Sequence, residues 1–141
     1  RFVILVGQHC FQLKFTKGES APDVGGIKIG SELGENISIL YARGHTDAMM
    51  IPHIKYKGKT IVYMADLLPS AGHIPLPYVM GYDTRPLITL DEKQKFMKRA
   101  ADEEYVLFME HDPLNECCTV QNTERGVKLK QVFSLKECFG E

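Results

Sequence analysis

The chain opens on a continuous apolar run, Phe2 to Val6, followed by a stretch in which Phe11, Leu13 and Phe15 alternate with Gln12 and Lys14. Successive side chains on a strand point to opposite faces, so the first run predicts a short buried strand and the second a half-buried one. From Lys17 to Asn36 the chain is rich in Gly, Ser and acidic residues, with Ile27 and Ile29 alternating in the middle. That composition predicts loop with one short strand. Ile37, Ile39 and Tyr41 alternate again and run out into Gly44-His45-Thr46. Ile51 to Tyr56 and Thr60 to Met64 then flank Lys57-Gly58-Lys59, a hairpin pattern whose second strand delivers Asp66.

The stretch from Leu67 to Pro86 contains Pro69, Pro75, Pro77 and Pro86 and predicts a long loop, a length that usually marks function in a compact domain. Thr89-Leu90-Asp91-Glu92 has the form of a capping box, which predicts a helix over about Leu90 to Glu103. Leu90, Phe96, Met97 and Ala100 would face one side of it. Tyr105 to Met109 predicts a buried strand ending in Glu110-His111-Asp112-Pro113. A last hairpin is expected near Thr119 to Gln121 and Val127 to Phe133, around Asn122 to Gly126.

Composition narrows the class. With 141 residues, 44% hydrophobic and 25% charged, the chain has the size and make-up of one soluble globular domain spanning residues 1–141. A formal net charge of -1 supplies no basic field for nucleic acid. No apolar run approaches the roughly 18 residues of a membrane span. Cys10, Cys117, Cys118 and Cys138 show no C-x-x-C spacing, and neighbouring cysteines are poorly placed to bridge each other. Reduced thiols and a cytoplasmic location are the expectation. Gly25-Gly26 lacks the Lys-Ser/Thr of a phosphate loop and receives no nucleotide role. A strand opening at Arg1, with no Met and an apolar run too short for a signal peptide, reads as an internal cut, with tag removal or N-terminal processing as the alternative.

Three metal-capable side chains share one situation. His45, Asp66 and His111 each follow a predicted strand at its C-terminal end, and in layered α/β proteins such ends gather on one edge. Two imidazoles and a carboxylate suit zinc, iron or manganese better than calcium or magnesium. Singly, each has an ordinary reading, as a hydrogen-bonded loop histidine or a turn-forming aspartate; the shared placement raises the joint reading. On the long loop, His73, Tyr78 and Tyr82 are candidates to contact substrate or stabilise an oxyanion, with packing of the loop expected for at least two of them. His53, inside a strand, is read as structural. Asp112 either orients a ligand or caps the turn at Pro113.

Gly44-His45-Thr46, a hairpin ending Ala65-Asp66, a helix, and a strand ending at His111 together resemble the second half of metallo-β-lactamase-fold hydrolases, over about residues 37–113. The resemblance implies an α/β (α+β) fold, half of a four-layer αβ/βα sandwich, with a mostly antiparallel sheet and a flanking helix. This chain would be the C-terminal half. It implies that His45 binds one metal, Asp66 bridges two and acts catalytically, and His111 binds the other. The cofactor would be zinc, two ions in the complete site, with iron or manganese as substitutes. The reaction would be metal-dependent hydrolysis of a small-molecule ester, lactone, thioester or phosphoester. Two departures stand out. Asp47-Ala48-Met49-Met50 replaces the glycine and second histidine that usually follow GHT, which distances the chain from the glyoxalase II-like branch. The His-x-His-x-Asp-His motif is absent, His9 being the only histidine before Tyr41. The remaining ligands are therefore expected from a missing N-terminal half or a second chain, a second copy included. Two other readings stay open: an iron-dependent redox enzyme of the same fold, and a non-catalytic half-fold that serves as an interaction module.

Overall fold

A computed structural model of the chain describes residues 2–6, 9–13, 29–34 and 36–140, with side chains described for residues 36–140. Phe15, Ile27 and the Gly25-Gly26 pair lie outside the described residues, as does the side chain of Cys10. Strands β1 (Phe2–Val6) and β2 (His9–Leu13) form a two-stranded antiparallel sheet. The other strands are β3 (Ile29–Gly34), β4 (Ile37–Ala42), β5 (Met49–Tyr56), β6 (Lys59–Tyr63), β7 (Val106–Phe108), β8 (Cys117–Thr123) and β9 (Gly126–Phe133). These make one 7-stranded sheet in sequential order from β3 to β9.

All neighbours in this sheet are antiparallel except β6 and β7, which run parallel with Val62 opposite Leu107. A parallel pair needs a crossover, and helix α1 (Pro86–Asp102) supplies it. The β5–β6 hairpin closes through Lys57 and Gly58, with Tyr56 paired to Lys59. Both turn residues have positive φ, 46° and 76°, the geometry a two-residue hairpin favours and glycine adopts without cost.

The sheet buries both faces, and the period-2 alternation shows how. Val62, Leu107 and Cys118 join the cluster under α1 with Phe96, Met97 and Ala100. Their chain neighbours Ile61, Val106 and Cys117 point the other way, into a smaller cluster with Leu135 that Phe133, Cys138 and Phe139 border. Helix α2 (Leu135–Phe139) covers that second face. Cys117, Cys118 and Cys138 are free thiols, and burial pushes the Cys118 thiol up to about 12. No helix among the described residues is long and apolar enough to cross a membrane.

Two capping signals in the sequence had different fates. The expected box at Thr89 and Glu92 does not form, because α1 begins earlier, with Pro86 at its first position and Arg85 as N-cap. Proline is pre-organised for a helix start and gives up only an N–H that would be unpaired there. Thr89 is instead buried within the helix, and Glu92 bonds elsewhere. The box that does form is Ser134 with Glu137 at the start of α2, a helix the periodicity did not predict. Five residues are too few for a hydrophobic period to show. Its C-terminus is closed by Gly140 at φ 69°.

His53 is 4% exposed, packed edge-on against Phe96 and Tyr105, with Nδ1 3.0 Å from the Ile51 carbonyl. This is the structural role expected of it. Burial lowers its pKa below the ordinary 6.5, although the Ile51 carbonyl opposes the shift. The unfolded chain therefore takes up this proton first as pH falls, so His53 leaves stability full above about pH 6.5 and erodes it below. Urea melts should show the chain losing stability between pH 7 and 5 relative to His53→Leu; parallel curves for the two proteins would remove His53 as the source.

Candidate metal centre

Pairing directions bring the three candidate ligands to one edge. β4 is antiparallel to β5 and β5 to β6, so β4, β6 and β7 all point the same way. Their C-terminal ends lie on one side of the sheet, and they carry the loops with His45, Asp66 and His111. β5 separates β4 from β6 by two strand spacings, about 10 Å in all, so the loop after β4 must reach across. It does so, and His45 Nε2 stands 3.2 Å from Asp66 Oδ2. On the other side His111 Nε2 stands 3.2 Å from Asp66 Oδ1. Asp66 thus offers a different oxygen to each ring.

Each loop is held by identifiable bonds. Glu92, on α1, accepts from the backbone N–H of Arg43 at 2.7 Å and of Gly44 at 3.0 Å. Its two oxygens clamp the residues just before His45, which is where the carboxylate expected to cap the helix has gone. Gly44 sits so close to α1 that an added Cβ would lie 2.3 Å from both the backbone nitrogen and the hydroxyl of Thr89. The carbonyls of Gly44 and His45 accept from Arg85 N and Thr84 N at 2.8 and 3.2 Å. Asp66 lies in a 3-10 turn, Ala65–Leu67, entered through Ala65 at φ 45°. A left-handed alanine costs on the order of 1 kcal/mol, and such strain concentrates at functional positions. His111 is anchored through its N–H to the Pro69 carbonyl at 3.1 Å.

His45 is the most constrained group. Its Nδ1 lies 2.9 Å from Asp83 Oδ1, and the Asp83 side chain is fully buried. A neutral imidazole carries one N–H, so it can donate to Asp83 or to Asp66 but not to both. With Nδ1 donating to Asp83, Nε2 faces a carboxylate oxygen, a position that a second proton or a metal ion can fill. The 3.2 Å spacing fits, because two donors each about 2.1 Å from one ion lie roughly 3.0–3.4 Å apart. A charge-assisted N–H···O bond is shorter, about 2.7–2.9 Å. The donor set and its spacing therefore suit a bound metal ion such as zinc.

The strap between Asp66 and α1 is ordered by Lys93. This lysine is 0% exposed, and its Nζ donates to the carbonyls of Pro75, Leu76 and Tyr78 at 2.9, 3.3 and 2.7 Å. Burial lowers its pKa to about 8, with Asp83 acting in the opposite sense. His73 bonds through Nδ1 to Ser70 Oγ at 2.8 Å, and the structure does not bring it to the three ligands. Tyr78 is 60% exposed and Tyr82 73%, so the expected packing-down of the strap's rings is not what these tyrosines do. The buried lysine holds the strap instead. Tyr82 stands edge-on to His45 with ring centroids 6.2 Å apart, whereas Tyr78 contributes its carbonyl to Lys93.

Asp112 resolves in favour of its turn. It accepts from Ala71 N, Leu114 N, Asn115 N and the Asn115 side chain at 2.9–3.2 Å. Desolvation pushes its carboxyl up, but these donors outweigh it and hold the pKa at about 2. Asp83, Glu92, Lys93 and Glu110 were not singled out from the sequence. Asp83 sits in a loop without periodicity, and Glu92 was assigned to a cap. Glu110 adjoins His111, and its carboxylate gathers with Asp66 and His111 so that one donor atom of each lies within 4.8 Å of the others.

Glu92→Gln should speed amide exchange at Arg43 and Gly44 at least tenfold while lowering stability by about 1–2 kcal/mol, since an amide has one acceptor oxygen for two N–H groups. Unchanged exchange would show that the loop is held otherwise. Gly44→Ala should cost about 1–3 kcal/mol in urea melts, because the first turn of α1 must shift to admit the methyl.

No family model matches the sequence, and no curated protein does. Solved structures do match. A probable metal-dependent hydrolase from Staphylococcus aureus superposes with TM-score 0.64 at 22% identity, over 74% of this chain and 37% of that one. The dizinc quorum-quenching lactonase AidC, in complex with an N-acyl homoserine product, gives 0.63 at 22%, over 73% and 36%. AbOPH, a hydrolase in the β-lactamase superfamily, gives 0.63 at 17%, over 74% and 37%. The chain spans little more than a third of the length of these proteins. Over that span, it carries the metallo-β-lactamase fold.

Proposed function

We propose that the chain supplies part of the metal site of a metal-dependent hydrolase, with zinc as the cofactor and an ester-like small molecule as substrate. The observation that carries this reading is His45, held between Asp83 and Asp66, with Asp66 shared in turn by His111. His45 would hold one metal ion and His111 the other, with Asp66 between the two histidines. Bound zinc lowers the pKa of its water toward neutrality and polarises a carbonyl or phosphoryl oxygen. The chain's own part is to prepare the donors. By accepting from Nδ1, Asp83 would turn Nε2 of His45 toward the ion. Asp66, fixed in its turn, would orient the attacking oxygen. Tyr82, exposed beside His45, is placed to touch substrate.

The class of substrate follows the neighbours, among which AidC is a lactonase. A lactone or other ester is accordingly the first choice for this chain. The remaining donors would come from the other half of the sandwich, on the same polypeptide or another. Leu76, Tyr78, Tyr82 and Leu114 are exposed on the strap and on the loop after His111, and Leu87 and Ile88 on the first turn of α1. An apolar border beside the site supports such a covering partner. Two histidines with one carboxylate are also the donor set of mononuclear iron oxygenases, so the metal itself must be identified.

Elemental analysis and zinc titration calorimetry on the gel-filtered chain test the reading. Zinc should bind at micromolar or tighter concentrations. Asp66→Asn should weaken binding at least 100-fold, and Asp83→Asn by 10–100-fold through the His45 ring alone. Undiminished zinc binding by Asp66→Asn would refute the site. A preference for iron with oxygen consumption would favour the redox reading, and opening of an N-acyl homoserine lactone ring by the zinc-loaded protein would support the hydrolase.

A further inference from the structure

Resting on the metal-site reading above, we infer that Glu110 is a fourth protein donor, so that Asp66, Glu110 and His111 hold one divalent cation within this chain. Three observations converge. The donor atoms of the three residues gather within 4.8 Å of one another. His111 and Glu110 are consecutive, yet both present donors to the same carboxylate neighbourhood, because the chain turns sharply after β7 and is pinned by the His111 N–H to Pro69. His111 Nε2 also stands 3.2 Å from Asp66 Oδ1, the spacing of two donors that share one ion.

The position has consequences for the chemistry. Adding a second carboxylate to a histidine and an aspartate makes the donor set harder, which favours manganese and iron(II) relative to a set of imidazoles alone. Asp66 is 25% and His111 52% exposed at their side chains, so this part of the site is open to water. An open position is what separates a reactive metal site from a purely structural one. His45 approaches Asp66 from the opposite oxygen and is not part of the same cluster. Glu110 thus strengthens the His111 side, while Asp83 serves the His45 side. Each imidazole has its own supporting carboxylate, one orienting through Nδ1 and one standing beside Nε2.

The test is zinc and manganese titration calorimetry on the whole chain, comparing the unmodified protein with Glu110→Gln and Asp66→Asn. Glu110→Gln keeps the shape of the side chain and should fold normally, which a urea melt verifies. It should bind zinc at least tenfold more weakly and lose more still for manganese. If Asp66→Asn loses zinc while Glu110→Gln binds as tightly as the unmodified chain, Glu110 is no donor and the inference fails alone. If the unmodified chain binds no zinc, or Asp66→Asn binds it undiminished, the metal-site reading falls and Glu110 with it.

Discussion

His45 has a carboxylate oxygen in front of each ring nitrogen, Asp83 at Nδ1 and Asp66 at Nε2. Much of the surrounding structure serves to hold the ring between them. The Asp83 side chain is fully buried, so its bond to Nδ1 cannot be exchanged for water without cost. Its second oxygen, Oδ2, is buried with no hydrogen-bond partner among the described residues. Its charge raises the pKa values of Lys93 and His73 against the lowering effect of their burial. A buried carboxylate whose hydrogen bond is aimed at His45 holds that ring with its far nitrogen toward Asp66.

The rest of the edge is arranged so that this geometry does not relax. Helix α1 acts on the site from its N-cap and its first two turns. Arg85 and Thr89 border Gly44, Glu92 clamps the backbone before His45, and Lys93 gathers the strap by three carbonyls. A buried lysine is costly unless its donors are met, and here each acceptor is a backbone oxygen of one loop. Rearranging that loop would strand the charge, so the strap has little freedom where it leads to Asp83. The same helix provides the crossover that makes β6 and β7 parallel. One element therefore sets both the direction of the strands and the position of their loops.

Much of this was legible in the sequence, for reasons that also explain what was not. Strands β4 to β9 follow from alternation and from the Lys57-Gly58 turn, since period-2 burial leaves a direct trace. The placing of His45, Asp66 and His111 after β4, β6 and β7 was visible because it depends only on strand ends. Glu92 was misread because a Thr-x-x-Glu spacing is the same whether the glutamate turns back to its own helix or reaches a loop almost fifty residues earlier. Pro86 held the better clue, as proline favours the first helical position. Asp83 and Lys93 left no local sign at all. Their roles arise from burial and from partners distant along the chain, which no spacing encodes.

The contrast between the two sides of Asp66 suggests how such a site divides its labour. His45 is 13% exposed at its side chain, buttressed by a buried carboxylate, a clamped glycine and an edge-on tyrosine. His111 is 52% exposed and stands on a short turn tied down by Asp112. A rigid, dry donor fixes where an ion sits, whereas an open one leaves room for water and a substrate to reach it. Asp66, reached through a strained Ala65, belongs to both sides. The left-handed turn at Ala65 sets the direction in which the two Asp66 oxygens leave the chain. The physical case for a metal centre thus rests less on which residues are present than on how much structure is committed to aiming them.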